Sequence, residues 1–333
     1  MKAVAALRGK VVITEVENFV LQEGHVRIKT EFSAISPGTE LSFLQKASEQ
    51  LSLLGYSAVG IIEDIGENVP GFEIGQRVAC YGAPYVRHAE WLTVPSNLIT
   101  AVPDHVRPEE AAFAGLGAIA IHALRTADLR FGESLVIVGL GILGQMMAQI
   151  AQSAAFQVIG LDLNMSRVQL LQSQGINQVF SKQELLQEQL SRVTDGHGAD
   201  CVILCVGGSN DELINSSLEW IRDKGKIIIV GDISTSFSRR LMFGKEAQVL
   251  ISRAGGPGRY DSSYENENRD YPIGYVRWTE GRNIGEYIRL LAEKRISVSP
   301  LISDCVPLIH AEAAYNNYFN SSNVMGTLLK YEE

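Results

Sequence analysis

The sequence has few cysteines and no long apolar run. Cys80, Cys201, Cys205 and Cys305 are the only cysteines among 333 residues, and they are too sparse and scattered for a disulfide scaffold. No apolar stretch reaches the roughly 18 residues of a membrane-spanning helix, and the N-terminus lacks the apolar core of a signal peptide. We therefore expect a reduced, cytoplasmic protein.

The sequence also lacks an excess of basic charge. It has 29 Lys and Arg against 38 Asp and Glu, a formal net charge of −9. This balance argues against nucleic acid or an anionic membrane as a partner. The apolar share is 46% and the charged share 20%, which excludes wholesale disorder. The length is enough for two domains.

Residues 1–125 predict a β-rich, barrel-like domain, because short runs of Val, Ile and Thr alternate with turn residues. The sequence Ser36-Pro37-Gly38 is interpreted as one of these turns. The predicted strands are Lys10–Glu15, His25–Ser33, Ala58–Ile65 and Arg77–Tyr81. An alanine-rich helix is predicted from Pro108 to about Ala127, since proline suits the first helical position.

Apolar strands alternate with helices after residue 126. This pattern predicts βαβ units and a parallel sheet that is buried on both faces, an α/β arrangement. The predicted strands are Ser134–Val138, Gln157–Leu161, Gln178–Phe180, Ala199–Val206 and Lys226–Val230. The predicted helices, including two beyond Tyr271, are Ile142–Ala154, Ser166–Ser173, Asp211–Ile221, Ile284–Lys294 and Ala311–Phe319.

The strongest motif is the run Gly139-Leu140-Gly141-Ile142-Leu143-Gly144. It places G-x-G-x-x-G after a buried strand and at the start of a helix, the context of a dinucleotide site. Gly139 permits the tight turn, Gly141 lets the backbone approach a pyrophosphate, and Gly144 lets helix and strand pack closely. The first helical amides would hold the phosphates.

An acidic residue at the end of the next strand strengthens this interpretation. Asp162 follows Val158-Ile159-Gly160-Leu161 and would accept hydrogen bonds from the ribose hydroxyls. Its charge favours NAD, because a carboxylate repels the 2′-phosphate of NADP. Arg167 nearby could accommodate that phosphate, so NADP stays open as an alternative.

With these residues in view, the chain resembles the medium-chain dehydrogenase/reductase superfamily, the zinc-type alcohol dehydrogenases and their zinc-less relatives. The resemblance is carried by Gly55-Tyr56-Ser57-Ala58-Val59-Gly60, by His88-Ala89-Glu90-Trp91 and by the glycine motif. It implies a GroES-like catalytic domain over residues 1–125 and a Rossmann doubly wound domain over residues 126–268. Residues 269–333 would return to the catalytic domain. Cys205, Val206 and Val230 would lie in the cofactor site.

The residues that bind zinc in this family are missing. Pro37 stands at the position of the ligand cysteine, Tyr56 at that of the ligand histidine and Ser57 at that of its glutamate neighbour. Proline has no side-chain donor for zinc, and tyrosine is not among its usual ligands. The four-cysteine lobe of structural zinc is absent too. We therefore expect no metal site.

Without zinc, another group must stabilise the substrate oxygen. Thr39 matches the family's hydroxyl relay residue, and Tyr56 replaces a ligand that faces the pocket, so both are candidate catalytic residues. Tyr56 would need a lowered pKa, or a relay behind it, to act as a base. His88 and His122 are further candidate bases.

The segment around Gly258-Arg259-Tyr260-Asp261, rich in Arg, Tyr and Asp, suits a polyhydroxylated or anionic ligand. A solvated loop or an oligomer contact is the alternative interpretation. Glu246–Ala254 resembles the family's edge strand, which predicts a homodimer.

Together these observations predict a zinc-independent, NAD(H)-dependent oxidoreductase that interconverts a secondary alcohol and a ketone. A sugar or cyclitol is the expected kind of substrate. One alternative is an NADPH-dependent enoyl or quinone reductase. Another is a catalytically silent NAD(H)-binding sensor or partner subunit.

Overall fold

The computed structural model describes residues 1–17, 20–46, 49–208 and 210–332. Contacts divide the chain into two compact units, Met1–Ala118 with Gly255–Glu333, and Ile119–Ala254. Residues 119–125, predicted to belong to the catalytic domain, lie in the second unit. Residues 255–268, predicted to belong to the Rossmann domain, lie in the first. They are held there by polar contacts to its backbone and side chains: Asn283 Nδ2 donates to the Gly255 carbonyl at 2.8 Å, and Arg259 donates to the Ala83 carbonyl at 2.6 Å.

The first unit is built from β-sheets with a few helices. Its strands are β1 (Lys2–Leu7), β2 (Lys10–Glu15), β3 (His25–Ala34), β4 (Ser52–Leu53), β5 (Ser57–Ile65), β6 (Arg77–Tyr81), β7 (Trp91–Pro95), β8 (Ile99–Ala101), β15 (Ile302–Pro307) and β16 (Gly326–Lys330). Its helices are α1 (Pro37–Gln45), α2 (Pro108–Ala111), α9 (Ser262–Glu265), α10 (Glu280–Ala292) and α11 (Ala311–Asn320). Helix α3 (Ala114–Ala127) begins in this unit.

Strand β3 is the centre of the main sheet of this unit. The sheet runs in the order β15-β16-β3-β5-β6-β8, and β7 pairs with β3 as well. Its apolar core includes Val26, Ile28, Ile62 and Val78. Along β3, Val26 and Ile28 alternate with more exposed residues, as expected for a strand with one buried face. The smaller sheet β2-β1-β4 packs its apolar side chains with those of α11.

The sequence Ser36-Pro37-Gly38 is not a turn but the start of helix α1. Pro37 occupies the first helical position, where its missing N–H costs no hydrogen bond. The chain that follows continues as a helix to Gln45. The prediction of a turn was therefore wrong, and the helix brings Glu40 back towards Ser36.

The second unit contains a parallel sheet. The strands are β9 (Ser134–Val138), β10 (Gln157–Leu161), β11 (Val179–Phe180), β12 (Ala199–Leu204), β13 (Ile221–Ile229) and β14 (Gln248–Ile251). The helices are α4 (Ile142–Ser153), α5 (Met165–Ser173), α6 (Gln183–Val193), α7 (Asp211–Trp220) and α8 (Arg239–Lys245). The sheet order is β11-β10-β9-β12-β13-β14, so the chain winds outward in both directions from β9.

This topology confirms the α/β prediction and sets the place of the glycine motif. Strands β9, β10 and β12 are almost wholly buried, as helices on both faces require. Strand β14 ends the sheet, and Ile251 on it is 65% exposed. A homodimer that covers this edge stays a prediction, which light scattering in solution would test. Within the described ranges, no helix is both long and apolar enough to cross a membrane.

Candidate active site

Three hydroxyl groups meet at the N-terminus of helix α1. The Tyr56 hydroxyl donates a short hydrogen bond to Ser36 Oγ, and Thr39 lies close to the same hydroxyl. Ser36 is buried, Tyr56 is half-buried and Thr39 is exposed. The structure thus brings together the predicted catalytic residues Thr39 and Tyr56 and adds Ser36, which was not predicted. The cluster can donate hydrogen bonds to a substrate oxygen.

The Tyr56 hydroxyl is a donor at neutral pH. Burial raises its pKa from 10.0 to about 12, although the hydrogen bond to Ser36 opposes this shift. The lowered pKa that a tyrosine base requires is therefore not present. A neutral phenol in this position can still protonate, or hydrogen-bond, an oxygen on which negative charge develops.

A buried acid–histidine pair lies directly behind this cluster. Glu40 is 3% exposed and His88 is fully buried. His88 Nε2 lies 3.0 Å from Glu40 Oε2, and the other carboxylate oxygen accepts the Ser36 backbone N–H at 2.8 Å. Tyr315 donates a further, short hydrogen bond to Glu40. The carboxylate that fixes the backbone of Ser36 is thus itself held on several sides.

The network continues from the second nitrogen of His88. His88 Nδ1 lies 2.6 Å from Ser33 Oγ, which is 2.7 Å from the Tyr331 hydroxyl. Burial, and then the charge of Glu40, raise the pKa of Tyr315 well above its ordinary value, so it remains a donor. His88 therefore contacts Glu40 and Ser33, and its ring is not presented to solvent. Tyr315 and Tyr331 had no sequence signal, because they are far from Glu40 along the chain.

No metal site is seen among the residues described. Within them, no group of three or more His, Cys, Asp or Glu side chains could hold a metal ion. At the former ligand positions, Pro37 is the first residue of α1, and Ser57 Oγ donates to the Ala112 carbonyl at 2.6 Å while accepting the Gly115 N–H at 2.8 Å. His122 lies on α3, where burial and then the charge of Arg125 lower its pKa.

The Tyr56 ring packs against Tyr81, which is followed by a second group of buried polar residues. Tyr81 packs edge-on against Tyr56, with ring centroids 5.8 Å apart. Beyond it, Glu280 is fully buried, and burial together with the charge of Glu265 raises its pKa from 4.5 to about 9. In the described part of the chain, no donor reaches either oxygen of an ionised Glu280. As a neutral acid, Glu280 can donate its own proton to Glu265.

The glycine motif forms the turn between β9 and α4. Gly139 has φ +92°, a left-handed conformation that favours glycine, and its N–H donates to the Leu161 carbonyl at 2.9 Å. A Cβ on Gly144 would lie 2.0 Å from the Gly139 carbonyl oxygen, so the helix can approach the turn only with glycine there. Among the residues described, and apart from neighbouring backbone, no atom lies within 4 Å of the position of a Cβ on Gly141, which leaves space for a pyrophosphate.

The end of strand β10 carries the predicted ribose ligand. Asp162 Oδ2 accepts the Leu140 N–H at 2.7 Å, and Oδ1 accepts the Asn164 N–H at 2.8 Å. Arg167 Nη1 lies 3.4 Å from Oδ2. Asp162, Arg167 and the glycine loop therefore do lie together, and the two backbone amides fix the orientation of the carboxylate.

The remaining predicted cofactor residues surround the same turn. A Cβ on Gly139 would lie 2.6 Å from Val206 Cγ1 and 3.1 Å from the Cys205 carbonyl, and the Cys205 N–H donates to Val138. The Val230 N–H donates to the Leu204 carbonyl at 3.0 Å. Ile142 and Leu143 form the first turn of α4. The donor set and the space at Gly141 fit a dinucleotide whose phosphates meet the helix N-terminus.

Comparison with known proteins places both parts of the chain in one family. The model of the alcohol dehydrogenase GroES-like domain matches residues 22–124, and the zinc-binding dehydrogenase model matches residues 143–266. Among solved structures, the alcohol dehydrogenase TADH from Thermus sp. ATN1 has a TM-score of 0.81 at 23% identity, with full coverage of both chains. The fold is therefore GroES-like plus Rossmann, as predicted.

Curated relatives agree with this assignment. The 2-dehydro-3-deoxy-L-galactonate 5-dehydrogenase of Pseudoalteromonas atlantica is 24% identical over 342 residues, which cover 93% of this chain and 92% of the relative. The D-guloside 3-dehydrogenase of Escherichia coli is 24% identical, with 95% of each chain covered. The chain belongs to the medium-chain dehydrogenase/reductase superfamily and is an alcohol dehydrogenase-like oxidoreductase.

Proposed function

We propose that this protein is a zinc-independent, NAD(H)-dependent oxidoreductase that interconverts a secondary alcohol and a ketone on a polyhydroxylated metabolite. The observation that carries the proposal is the hydroxyl cluster of Tyr56, Ser36 and Thr39, in which Tyr56 stands where zinc enzymes of the family have a ligand histidine. The two curated relatives described above are, by name, dehydrogenases of a sugar acid and of a guloside. Their names support the substrate class.

The residues present do not fit the zinc that the family name implies. Pro37 offers no donor atom, and both hydrogen-bonding functions of Ser57 Oγ are used by the backbone of residues 112 and 115. Tyr56 has a raised pKa, so the phenolate that could bind a cation is disfavoured at neutral pH. No step of the proposed reaction therefore uses a metal.

The reaction can be described from the chain's own groups. A nicotinamide dinucleotide, when bound, supplies or accepts the hydride. In the direction of reduction, the Tyr56 hydroxyl turns its proton from Ser36 Oγ to the carbonyl oxygen and transfers it as the alcohol forms. Thr39 is exposed and lies beside Tyr56, so it can relay a replacement proton from solvent. Oxidation reverses these transfers and releases the proton to solvent.

The buried pair behind the cluster acts by positioning. Glu40 fixes the backbone of Ser36, which in turn accepts the hydrogen bond that orients Tyr56. His88 and Tyr315 hold Glu40 in place. Because these groups are buried and mutually hydrogen-bonded, the hydroxyl cluster is fixed before substrate binds, which limits reorganisation during the reaction.

Metal analysis tests the absence of zinc from the mechanism. We expect protein purified without chelator to contain less than about 0.1 zinc per chain, because no protein donor set of the usual kind is present. Alcohol oxidation should be unchanged after dialysis against EDTA. A zinc-dependent relative, carried through the same procedure, is the control that must lose activity. One tightly bound zinc per chain would contradict the proposal.

Cofactor preference is tested at Asp162. Replacing Asp162 with Gly removes the carboxylate that repels a 2′-phosphate, so we expect the NAD/NADP ratio of kcat/KM to fall by about tenfold or more. The Gly variant also loses the acceptors of Leu140 and Asn164, so Asp162→Asn is the matched variant that removes the charge while keeping an acceptor oxygen. Unchanged selectivity in both variants would remove Asp162 from the ribose site.

A further inference from the structure

Tyr260 is an exposed aromatic residue with a left-handed backbone conformation and with buried side chains that contact its ring and its backbone N–H. Its φ is +66°, a left-handed conformation that is costly for a bulky residue. Its side chain is nevertheless 58% exposed. A conformation that costs free energy and holds an aromatic ring in solvent needs a reason, and the surrounding contacts indicate one.

Two residues with buried side chains, Arg259 and Glu265, hold Tyr260 in its conformation. The Arg259 guanidinium carbon lies 4.1 Å from the centre of the Tyr260 ring and so covers one of its faces. Arg259 itself is only 9% exposed and is held by a short ion pair with Glu265 and by the Ala83 carbonyl. Glu265 also accepts the Tyr260 backbone N–H at 3.0 Å. The buried ion pair of Arg259 and Glu265 therefore holds both the ring and the backbone of Tyr260 in place.

Arg259 also connects the Tyr260 segment with the backbone next to Tyr56. Arg259 Nη1 lies 4.0 Å from the position of a Cβ on Gly82, and the Gly82 N–H donates to the Tyr56 carbonyl at 2.9 Å. One face of the Tyr260 ring is occupied by the Arg259 cation, which also binds Ala83, the neighbour of the glycine that hydrogen-bonds to Tyr56.

We propose that Tyr260 is a substrate-recognition residue whose exposed ring packs against the face of a cyclic polyol, a pyranose or a cyclitol, while the reacting oxygen lies at Tyr56. A saturated ring presents a face of C–H groups that suits a flat aromatic surface, whereas its hydroxyls point outward to polar partners. An open-chain polyol has no such face. The inference rests on the proposed function and narrows its substrate class to rings.

The experiment compares two probes that differ in ring closure. Binding of methyl α-D-glucopyranoside and of D-sorbitol to the full chain is measured by NMR titration. We expect wild-type protein to bind the pyranoside more tightly. Tyr260→Ala should weaken pyranoside binding by about fivefold to tenfold, from the lost aromatic contact, and Tyr260→Phe should retain it. Sorbitol binding should change by less than about twofold.

Tyr275→Ala is the matched control, because Tyr275 is 90% exposed in the same C-terminal segment. It should leave both affinities unchanged. Equal affinity of wild-type protein for the two probes, or equal losses in the Tyr260 and Tyr275 variants, would overturn the inference.

Oxidation of 2-butanol by NAD⁺, measured on the same preparations, separates this inference from the proposed function. Turnover of 2-butanol without a Tyr260-dependent preference for the pyranoside overturns the recognition role alone. A preserved preference without turnover of any secondary alcohol counts against the proposed function and supports the recognition role.

Discussion

Phenylalanine in place of Tyr56 is expected to reduce kcat for ketone reduction by about 100-fold to 1,000-fold, the range attributed to a positioned proton donor. The substitution removes the one hydroxyl that has both a buried acceptor, Ser36, and an exposed neighbour, Thr39. The ring itself still packs against Tyr81 at 5.8 Å, so the fold should be kept. Binding of NADH, measured by fluorescence, should change by less than about twofold.

Tyr287→Phe provides the matched control for this prediction. The Tyr287 hydroxyl is also removed from a packed site, where it donates to the Glu110 carbonyl at 2.7 Å. Its loss should cost about 1 kcal/mol of stability without lowering kcat. Wild-type turnover in the Tyr56 variant, or equal losses in the two variants, would reject the role of Tyr56 in proton transfer.

Glutamine in place of Glu280 is expected to stabilise the protein, and more so as the pH rises. The pKa of Glu280 is about 9 in the folded chain against 4.5 as its ordinary value, so folding at neutral pH requires the uptake of a proton. For a raised pKa, this group's contribution to stability is greatest below pH 4.5 and falls until about pH 9. Glutamine is neutral throughout and avoids this loss.

The magnitude at pH 7 follows from the difference, about 2.5 pH units, between that pH and the ordinary pKa of 4.5. At about 1.4 kcal/mol per pH unit, the variant should exceed wild type by about 3 kcal/mol at pH 7. The amide can donate to Glu265 as the protonated acid does. At pH 5 the difference should nearly vanish. Urea unfolding of both proteins at pH 5, 7 and 9 measures the effect.

Two further variants make this prediction specific. Glu265→Gln should destabilise the protein instead, because it leaves the buried Arg259 without its charge partner. Glu293→Gln, at the exposed end of α10, should change stability by less than about 0.5 kcal/mol at every pH. A Glu280→Gln variant that is less stable than wild type at pH 7 would contradict the prediction that the folded protein holds Glu280 as a neutral acid.

The dinucleotide half was largely predictable from local sequence. In the Rossmann unit the turn, the helix and the next strand follow one another along the chain, so Gly139, Gly144 and Asp162 are recognisable by spacing alone. Their structural positions agree with that spacing, although cofactor binding itself stays a prediction. Strands β9 and β10 have the bounds that were predicted.

The support of the hydroxyl cluster was not predictable in the same way. Glu40 depends on Tyr315, and His88 reaches Tyr331 through Ser33, but these residues come from distant parts of the chain. No periodic pattern marks such a contact. The start of α1 was missed because Ser-Pro-Gly is typical of turns, although Pro37 suits the first helical position and Glu40, four residues after Ser36, accepts the Ser36 N–H.

The first unit is formed by two separate segments of the chain, and this affects the order in which the protein can fold during its synthesis. Residues 119–254 are contiguous and can fold as they leave the ribosome, whereas strand β3 must await β16. Ser33 and Tyr331 are 298 positions apart, which corresponds to about 15–60 s of translation. During that interval Glu40 lacks Tyr315, and one edge of β3 lacks its partner strand. The Rossmann unit can therefore complete its fold before the first unit has all of its strands.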